Sequence, residues 1–126
     1  MKPMVAMLGL GLAACTAQAP PAPPAVAQGA QVSCIDLKQV SARHVLPPES
    51  VLFEMVGGIT YRTDLVGGCP GAARADASSI VETESQGTQL CRDDHIRIYD
   101  PVEAKATGSG AFAQCRVGIF TAVPNP

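Results

Sequence analysis

The sequence predicts a small all-β domain, and three observations lead to that prediction. Apolar residues after Val32 occur in short alternating runs rather than at the 3.6-residue spacing of an amphipathic helix. Glycine or proline separates these runs, as it does between antiparallel strands. The same region holds four cysteines, Cys34, Cys69, Cys91 and Cys115. We expect a small barrel-like sheet or curled antiparallel meander of five to six short strands, cross-linked by two disulfides.

The chain divides into a leader, a linker and a domain. Residues 1–14 are predicted to be a lipoprotein signal peptide, since the apolar run ends in Leu12-Ala13-Ala14 directly before Cys15. As a helix, the nine residues of this run would span about 14 Å, too little to cross a bilayer. Residues 15–31 would then be the lipidated Cys15 and a Pro/Ala-rich linker, and residues 32–126 the disulfide-stabilised domain.

Lipidation of Cys15 would give the protein its membrane partner. By similarity to bacterial lipoproteins, this cysteine would receive a diacylglyceryl thioether and an N-acyl chain such as palmitate, and stable anchoring needs more than one chain. Thr16 stands where an aspartate would favour inner-membrane retention. We therefore expect attachment to the outer membrane, facing the periplasm. The uncharged linker with Pro20, Pro21, Pro23 and Pro24 favours extended polyproline II and is expected to act as a spacer.

Composition excludes one class of partner and explains the need for cross-links. The formal net charge is −2 and Lys and Arg are not clustered, so nucleic-acid binding is not expected. A domain of about 90 residues buries only roughly 60–65% of the surface of its unfolded chain, so its hydrophobic core alone gives marginal stability. Disulfides would add the stability that the core lacks.

The first strands are predicted on either side of two prolines. A segment from Cys34 opens the domain, and a strand over 40–46 ends at Pro47-Pro48, which cannot donate to a ladder. The runs 51–55 and 59–65 form the clearest hairpin. A three-residue loop, residues 56–58, would place Phe53 opposite Tyr61 with the large apolar groups on one face and Gly58 in the left-handed position of a type I turn plus bulge.

The second half of the domain is predicted to contribute three strands. They cover residues 78–83, residues 95–99 with Ile96 and Ile98 inward, and residues 115–120 with Cys115, Val117 and Ile119 on one face. Residues 72–77 could make a helical turn, whereas residues 102–114, with two glycines, are predicted to be a mobile loop.

Zinc and disulfides are the two alternatives for the four domain cysteines. The thiolates would be correct zinc ligands, but the chain lacks the Cys-x-x-Cys spacing of zinc sites. Export favours oxidation, so disulfides are expected and no metal is predicted. Three pairings are possible; we favour Cys34–Cys115, joining the terminal strands, with Cys69–Cys91 nested inside.

The catalytic candidates are few. Cys91, Asp93, Asp94 and His95 lie close in sequence, but a disulfide followed by a polar turn accounts for them. His44 is expected to be a strand residue, because the chain has no Gly-x-Ser-x-Gly nucleophile elbow. No glycine cluster matches a phosphate loop. The sequence therefore predicts no catalytic residue and no cofactor.

Several segments together resemble a bacterial family with a domain of unknown function, whose members are small exported four-cysteine proteins or lipoproteins. The similarity covers most of residues 34–122 and rests on Cys34-Ile35-Asp36-Leu37, Leu52-Phe53, Tyr61-Arg62-Thr63-Asp64-Leu65, Cys69-Pro70-Gly71, Leu90-Cys91 and Cys115-Arg116-Val117. This chain has Arg43-His44 where many members have a tryptophan in the first strand. The resemblance implies an exported cysteine-linked fold and carries no activity.

These observations predict a cell-envelope lipoprotein whose domain is a non-enzymatic binding or structural module. Its partner would be an envelope protein or a cell-wall component. The alternative is a small periplasmic hydrolase or inhibitor-type module that uses residues 93–95 or the loop 102–114. A thiol-redox role would need an easily reduced pair, and the chain has no Cys-x-x-Cys.

Overall fold

The computed structural model describes residues 26–85 and 87–125, together with the isolated positions 3, 9, 11 and 15. The predicted signal peptide and most of the predicted linker lie outside the described residues. In the described part the strands are β1 Gln31–Val32, β2 Cys34–Asp36, β3 Val40–Leu46, β4 Ser50–Met55, β5 Thr60–Val66, β6 Ile80–Glu84, β7 Gln89–Cys91, β8 His95–Tyr99 and β9 Gln114–Val123. The α-helices are α1 Pro70–Ala73 and α2 Pro101–Thr107, and 3₁₀ turns cover Leu37–Gln39 and Ser109–Ala111.

The main sheet is antiparallel and curls into a nearly closed barrel, which confirms the predicted fold class. Its strands lie in the order β3-β4-β5-β9-β8-β6, and β1 pairs with β9. The edge strands β3 and β6 approach each other, and the guanidinium Nη1 of Arg43 donates to the carbonyl oxygen of Val81 across the seam at 2.9 Å. A side chain thus bridges the edges where a backbone ladder would have closed the sheet.

One hydrophobic core fills the inside of the curled sheet. Phe53 and Phe120 are fully buried and meet edge to face, with ring centroids 6.0 Å apart. Aliphatic side chains supply most of the remaining core, as the scarcity of aromatics requires; its buried members include Ile35, Val51, Leu65, Val81, Leu90, Ile96, Ile98 and Val117. The prediction that Ile96 and Ile98 point inward is confirmed.

The predicted register of the β4–β5 hairpin is confirmed. Phe53 lies opposite Tyr61 and Val51 opposite Thr63, and all four residues are buried. The Met55 amide donates to the carbonyl oxygen of Ile59 at 2.7 Å, which closes the three-residue loop. The turn type differs from the prediction, because Gly57 (φ +97°) as well as Gly58 (φ +87°) has positive φ. A type I turn would need negative φ at both of its central residues.

Strand β9 is longer than predicted and carries a bulge in the middle. Its pairing with β5 shifts between Thr63, opposite Phe120, and Leu65, opposite Val117, so an extra residue stands in β9. The bulge changes which alternate residues point inward: Val117, Phe120 and Ala122 are buried, whereas Ile119 is half-buried. The expectation that Ile119 shares the buried face with Val117 was therefore wrong.

The two predicted disulfides form, but the favoured pairing was wrong. Cys34 bonds to Cys91 and Cys69 bonds to Cys115, so the two loops interlock instead of nesting. Cys34 and Cys91 lie directly opposite each other in the separate two-stranded β2–β7 sheet. Cys69 follows β5, the sheet neighbour of β9, and so reaches Cys115. Strand neighbours in space set the pairing, not the first and last strands of the chain.

The segment predicted to be a mobile loop is largely helical, which corrects that expectation. Helix α2 covers 101–107 and a 3₁₀ turn follows. The Asp100 carboxylate accepts from the amides of Val102 at 2.7 Å and Glu103 at 3.3 Å, and Pro101 occupies the first helical turn. An acidic N-cap before proline is a strong helix start. The helical turn predicted over residues 72–77 lies earlier in the chain, because α1 covers Pro70–Ala73 and the helix does not continue beyond it.

In the described part of the chain, hydrogen bonds to β9 begin at Gly29, three residues before the predicted boundary at Val32. The Gly29 amide donates to the carbonyl oxygen of Ala122 at 2.8 Å, and the Ala122 amide donates to that of Ala30 at 2.8 Å. The entering chain thus runs along the end of β9, beside the tip of the β4–β5 hairpin.

Candidate functional site

The Asp93–His95 corner is held by its own backbone and carboxylate. The Asp93 amide donates to the carbonyl oxygen of Val117 at 2.9 Å, and the Val117 amide donates to the Asp94 carbonyl oxygen at 2.9 Å. The Asp94 Oδ2 atom accepts from the Cys91 amide at 2.8 Å. Asp93 has a φ of +73°, a conformation that Asp tolerates better than most residues. The acidic pair thus shapes the turn between β7 and β8 and fixes it to β9.

The Asp93 carboxylate interacts with arginines rather than with an imidazole. Its oxygens lie 3.8 Å from Nε of Arg116 and 4.0 Å from Nε of Arg92. All three side chains are about half exposed or more, so these ion pairs contribute little to stability. The corner therefore carries solvent-screened ion pairs between Asp93 and two arginines. It does not show a carboxylate oriented to make His95 a general base.

The two histidines lie on different strands and have separate surroundings. Nε2 of His44 on β3 lies 3.5 Å from a carboxylate oxygen of Glu54 on β4, and its side chain is 51% exposed. His95 is exposed on β8, opposite Arg116 of β9 and Glu84 of β6. It lines an open polar groove that also includes Asp94 and Thr88. The structure does not bring the two histidines into one site.

The cysteines and acidic residues do not assemble a metal centre in the part of the chain that is described. The sulfur of each of the four domain cysteines is bonded to the sulfur of another cysteine in a disulfide. Within residues 26–85 and 87–125, no three His, Cys, Asp or Glu side chains come together as a metal site would require. Cys15 is exposed.

A serine–aspartate–arginine network lies on β4 and β5. The buried Ser50 hydroxyl donates to Oδ1 of Asp64 at 2.6 Å, and Nε of Arg62 donates to the same oxygen at 3.1 Å. The Ser50 hydrogen bond, with smaller contributions from the Arg62 hydrogen bond and charge, holds the pKa of the Asp64 carboxyl below its ordinary value, and desolvation opposes this only in part. The Ser50 oxygen also accepts from Nη2 of Arg62 at 3.1 Å, so the buried hydroxyl both donates and accepts within the network.

A small cleft, here called the distal cleft, lies where β8 ends and α2 begins. It has a volume of about 120 Å³ and is lined by Gly71, Arg74, Asp76, Ser79, Ile98, Tyr99, Asp100, Glu103 and Phe112. Tyr99 and Phe112 stack in it, with ring centroids 5.4 Å apart at 28°. A side chain at position 71 would put its Cβ 2.2 Å from the Ile98 carbonyl oxygen, so only glycine allows α1 to pack this closely on β8.

Polar groups fix the walls of the distal cleft. The Tyr99 hydroxyl donates to a carboxylate oxygen of Glu82 at 2.7 Å, and this bond raises the pKa of the Tyr99 hydroxyl. The Asp76 carboxylate accepts from the Ser78 hydroxyl at 2.6 Å and from the Ser78 amide at 2.9 Å, which lowers the pKa of Asp76. Sequence reasoning missed this cleft. Only the Asp100-Pro101 helix start signalled it, because the lining residues come from separate segments of the chain, residues 71–79, residues 98–103 and Phe112.

Two clefts adjoin at the opposite end of the sheet, one largely apolar and one of mixed polarity. One, of about 260 Å³, lies between β2 and the hairpin and is lined largely by Val32, Ile35, Met55, Val56, Ile59 and Tyr61. The other, of about 240 Å³, is shared by the hairpin glycines, the end of β9 and the entering residues Val26 and Gln28. Val56 is 63% exposed between them. We call the set Val26, Val32, Met55, Val56 and Ile59 the hairpin-tip patch.

Comparison with known proteins gives no relative from which a site could be transferred. No family model matches the chain. No curated protein and no solved structure matches it either. In the described part of the chain, no helix has both the length and the apolar character needed to cross a membrane.

Proposed function

We propose that the protein is a lipid-anchored bacterial cell-envelope protein whose domain acts as a non-enzymatic binding module, with the distal cleft as its ligand face. The observation that carries the proposal is the placement of this cleft. The chain enters beside the end of β9 at Val123, whereas the distal cleft lies beyond the other end of β9. Nine steps along β9 at ~3.3 Å each separate the two ends by up to about 30 Å.

The chemistry of the distal cleft suits recognition of a polar partner. An aromatic pair forms one wall, and charged groups of both signs form the rim: Arg74, Asp76, Asp100 and Glu103. Aromatic faces combined with oriented polar groups are common in binding sites, where the ring supplies contact area and the polar groups supply orientation. The cleft admits a side chain or sugar-sized group rather than a large substrate, which favours an envelope protein or a cell-wall component.

The acidic residues that a hydrolase would need have other roles in the fold. Asp94 caps the turn after β7, and Asp93 faces two arginines. This supports the binding module over the alternative hydrolase, which would require a free carboxylate aimed at His95.

Crosslinking in the cell tests the ligand face. A photo-crosslinking amino acid placed at Glu103, on the rim of the distal cleft, is expected to give a reproducible adduct with one envelope component. The same reagent at Ser41, an exposed position on β3, serves as the matched control. Equal adducts from both positions, or none from Glu103 and from a second rim position at Arg74, would contradict the proposal.

Lipidation has a separate test. The wild-type protein is expected to incorporate a labelled fatty acid and to sediment with the outer membrane, and Cys15→Ser is expected to abolish labelling. Persistent labelling of Cys15→Ser would place the acyl group elsewhere and refute the anchor.

A further inference from the structure

We infer that the hairpin-tip patch docks onto the surface of the bilayer in which the chain is anchored. The inference rests on the proposed lipid anchor at Cys15. It adds an orientation to that proposal: the domain would lie with its hairpin tip against the lipid and its distal cleft turned away from the membrane.

The entry point of the chain argues for this occupant. Ten residues lie between Cys15 and Val26, and the eleven steps along the chain span at most roughly 40 Å. Val26 and Gln28 line the same cleft as Gly57, Gly58 and Ile59. The patch therefore lies at the end of the sheet where the tether from the anchor joins the domain.

The shape of the hairpin favours insertion of an apolar tip. Val56 is followed by two glycines with no side chains to shield it, and it is 63% exposed. The Val56 amide donates to the carbonyl oxygen of Gln39 at 2.7 Å, so the exposed residue is held in place by backbone and is not on a free loop. A fixed apolar residue inserts into lipid without losing further conformational freedom.

The charge distribution agrees with a lipid partner. Among the residues lining the two clefts at this end, Asp36 alone has a charged side chain, and a third cleft beside them, which shares Met55 and Ile59, adds Glu54. The Asp36 carboxylate accepts from the Lys38 amide at 2.9 Å, and the Glu54 carboxylate lies 3.5 Å from Nε2 of His44. A surface with so few charges can enter the acyl boundary without a large desolvation cost. The distal end, with its four charged rim residues, could not do so.

The protein offers a direct test because it contains no tryptophan. Val56→Trp places a single fluorophore in the patch. Val102→Trp is the matched control, since Val102 is 74% exposed on α2, beside the distal cleft. Each full-length lipidated variant is purified from envelopes, reconstituted into phosphatidylethanolamine–phosphatidylcholine vesicles and titrated with brominated phosphatidylcholine, a quencher located in the acyl region.

Docking predicts a blue-shifted Val56→Trp emission that brominated lipid quenches at least threefold more strongly than the Val102→Trp emission. Adding Ile59→Asp to Val56→Trp is expected to reduce quenching to the control level. If both variants float with the vesicles but are quenched equally, docking is overturned and the anchor stands. A blue shift without quenching would mean that the tip is covered by protein, such as a second copy, and also overturns docking. If neither variant floats, the anchor fails, and the docking that depends on it fails too.

Discussion

Gly118 makes the sharpest test of the bulged strand. Replacing it with alanine would put a Cβ 2.7 Å from the carbonyl oxygen of Asp64 on the neighbouring strand β5. The Cβ is fixed by the β9 backbone and the oxygen belongs to the β5 backbone, so relief requires moving β5 and β9 apart. Overpacking of this kind costs about 1–3 kcal/mol. The lower unfolded-state entropy of alanine returns about 0.4–1 kcal/mol. We expect a net loss of about 1–2 kcal/mol in the free energy of unfolding.

The measurement is urea and thermal unfolding of the purified protein, followed by circular dichroism. A domain of this size loses about 4–8 °C in Tm per kcal/mol, so Gly118→Ala is expected to melt roughly 4–16 °C lower. Gly110→Ala is the matched control, because a Cβ there meets no atom within 4 Å and φ is not positive. Its stability is expected to change by less than about 0.5 kcal/mol. If Gly118→Ala is as stable as Gly110→Ala, the close approach of β5 and β9 at the bulge is wrong.

Three further predictions concern the hairpin, the surface network and the disulfides. Gly58→Val forces a β-branched residue into φ +87° and is expected to lower the unfolding free energy by about 1–3 kcal/mol; unchanged urea unfolding would refute the turn geometry. Ser50→Ala removes the main cause of the lowered Asp64 pKa, so the NMR titration midpoint of that carboxyl should rise. Because the pKa of Asp64 in the folded protein lies below its unfolded value of about 3.9, the ionised carboxylate stabilises the fold above that pH, and this stabilisation is lost as pH falls. Ser50→Ala should weaken this dependence of stability on acid. A midpoint that does not move would contradict the assignment of Ser50 as the main cause. Replacing Cys69 and Cys115 with serine opens a loop of sequence separation 46 and should cost about 2–4 kcal/mol in urea unfolding, whereas a negligible loss would mean that this bond is absent from the native protein.

A tryptic map of the unreduced protein checks the disulfide pairing without any substitution. Arginine and lysine positions place each domain cysteine in a different tryptic peptide. The peptide that ends at Lys38 should be linked to residues 75–92, and residues 63–74 should be linked to residues 106–116. Linkage of the Lys38 peptide to residues 106–116 would restore the nested pairing that the sequence favoured.

Local patterns in the sequence were sufficient for the fold class and for the hairpin register. Alternation of apolar residues fixed which side chains of β5 and β8 point into the core and placed Val51 and Phe53 of β4 there with them, because a shift of one residue would turn these side chains away from the core. The loop of residues 56–58 was identified by that requirement alone. Helix α2 was not predicted because Gly108 and Gly110 suggested that the whole segment 102–114 is a loop. The glycines in fact stand just after the helix, and the Asp100-Pro101 start outweighs them.

The candidate sites were less predictable, since they are made by residues that are distant in the chain. The distal cleft joins Gly71 to Tyr99 and Phe112, and no local pattern relates these positions. The Asp93–His95 corner was a candidate catalytic site in the sequence because its acidic and histidine residues are adjacent. In the structure its carboxylates turn toward backbone amides and arginines.

By itself, the sequence determined the short antiparallel strands, the presence of two disulfides and the inward-pointing residues of the β4–β5 hairpin and β8, because side-chain periodicity and cysteine number are local properties. Only the tertiary structure decided which cysteines meet, where β9 bulges and which end of the sheet lies beside the entering chain. Those features depend on which strands become neighbours when the sheet curls. Burial of the whole core selects that arrangement, and no single segment encodes it.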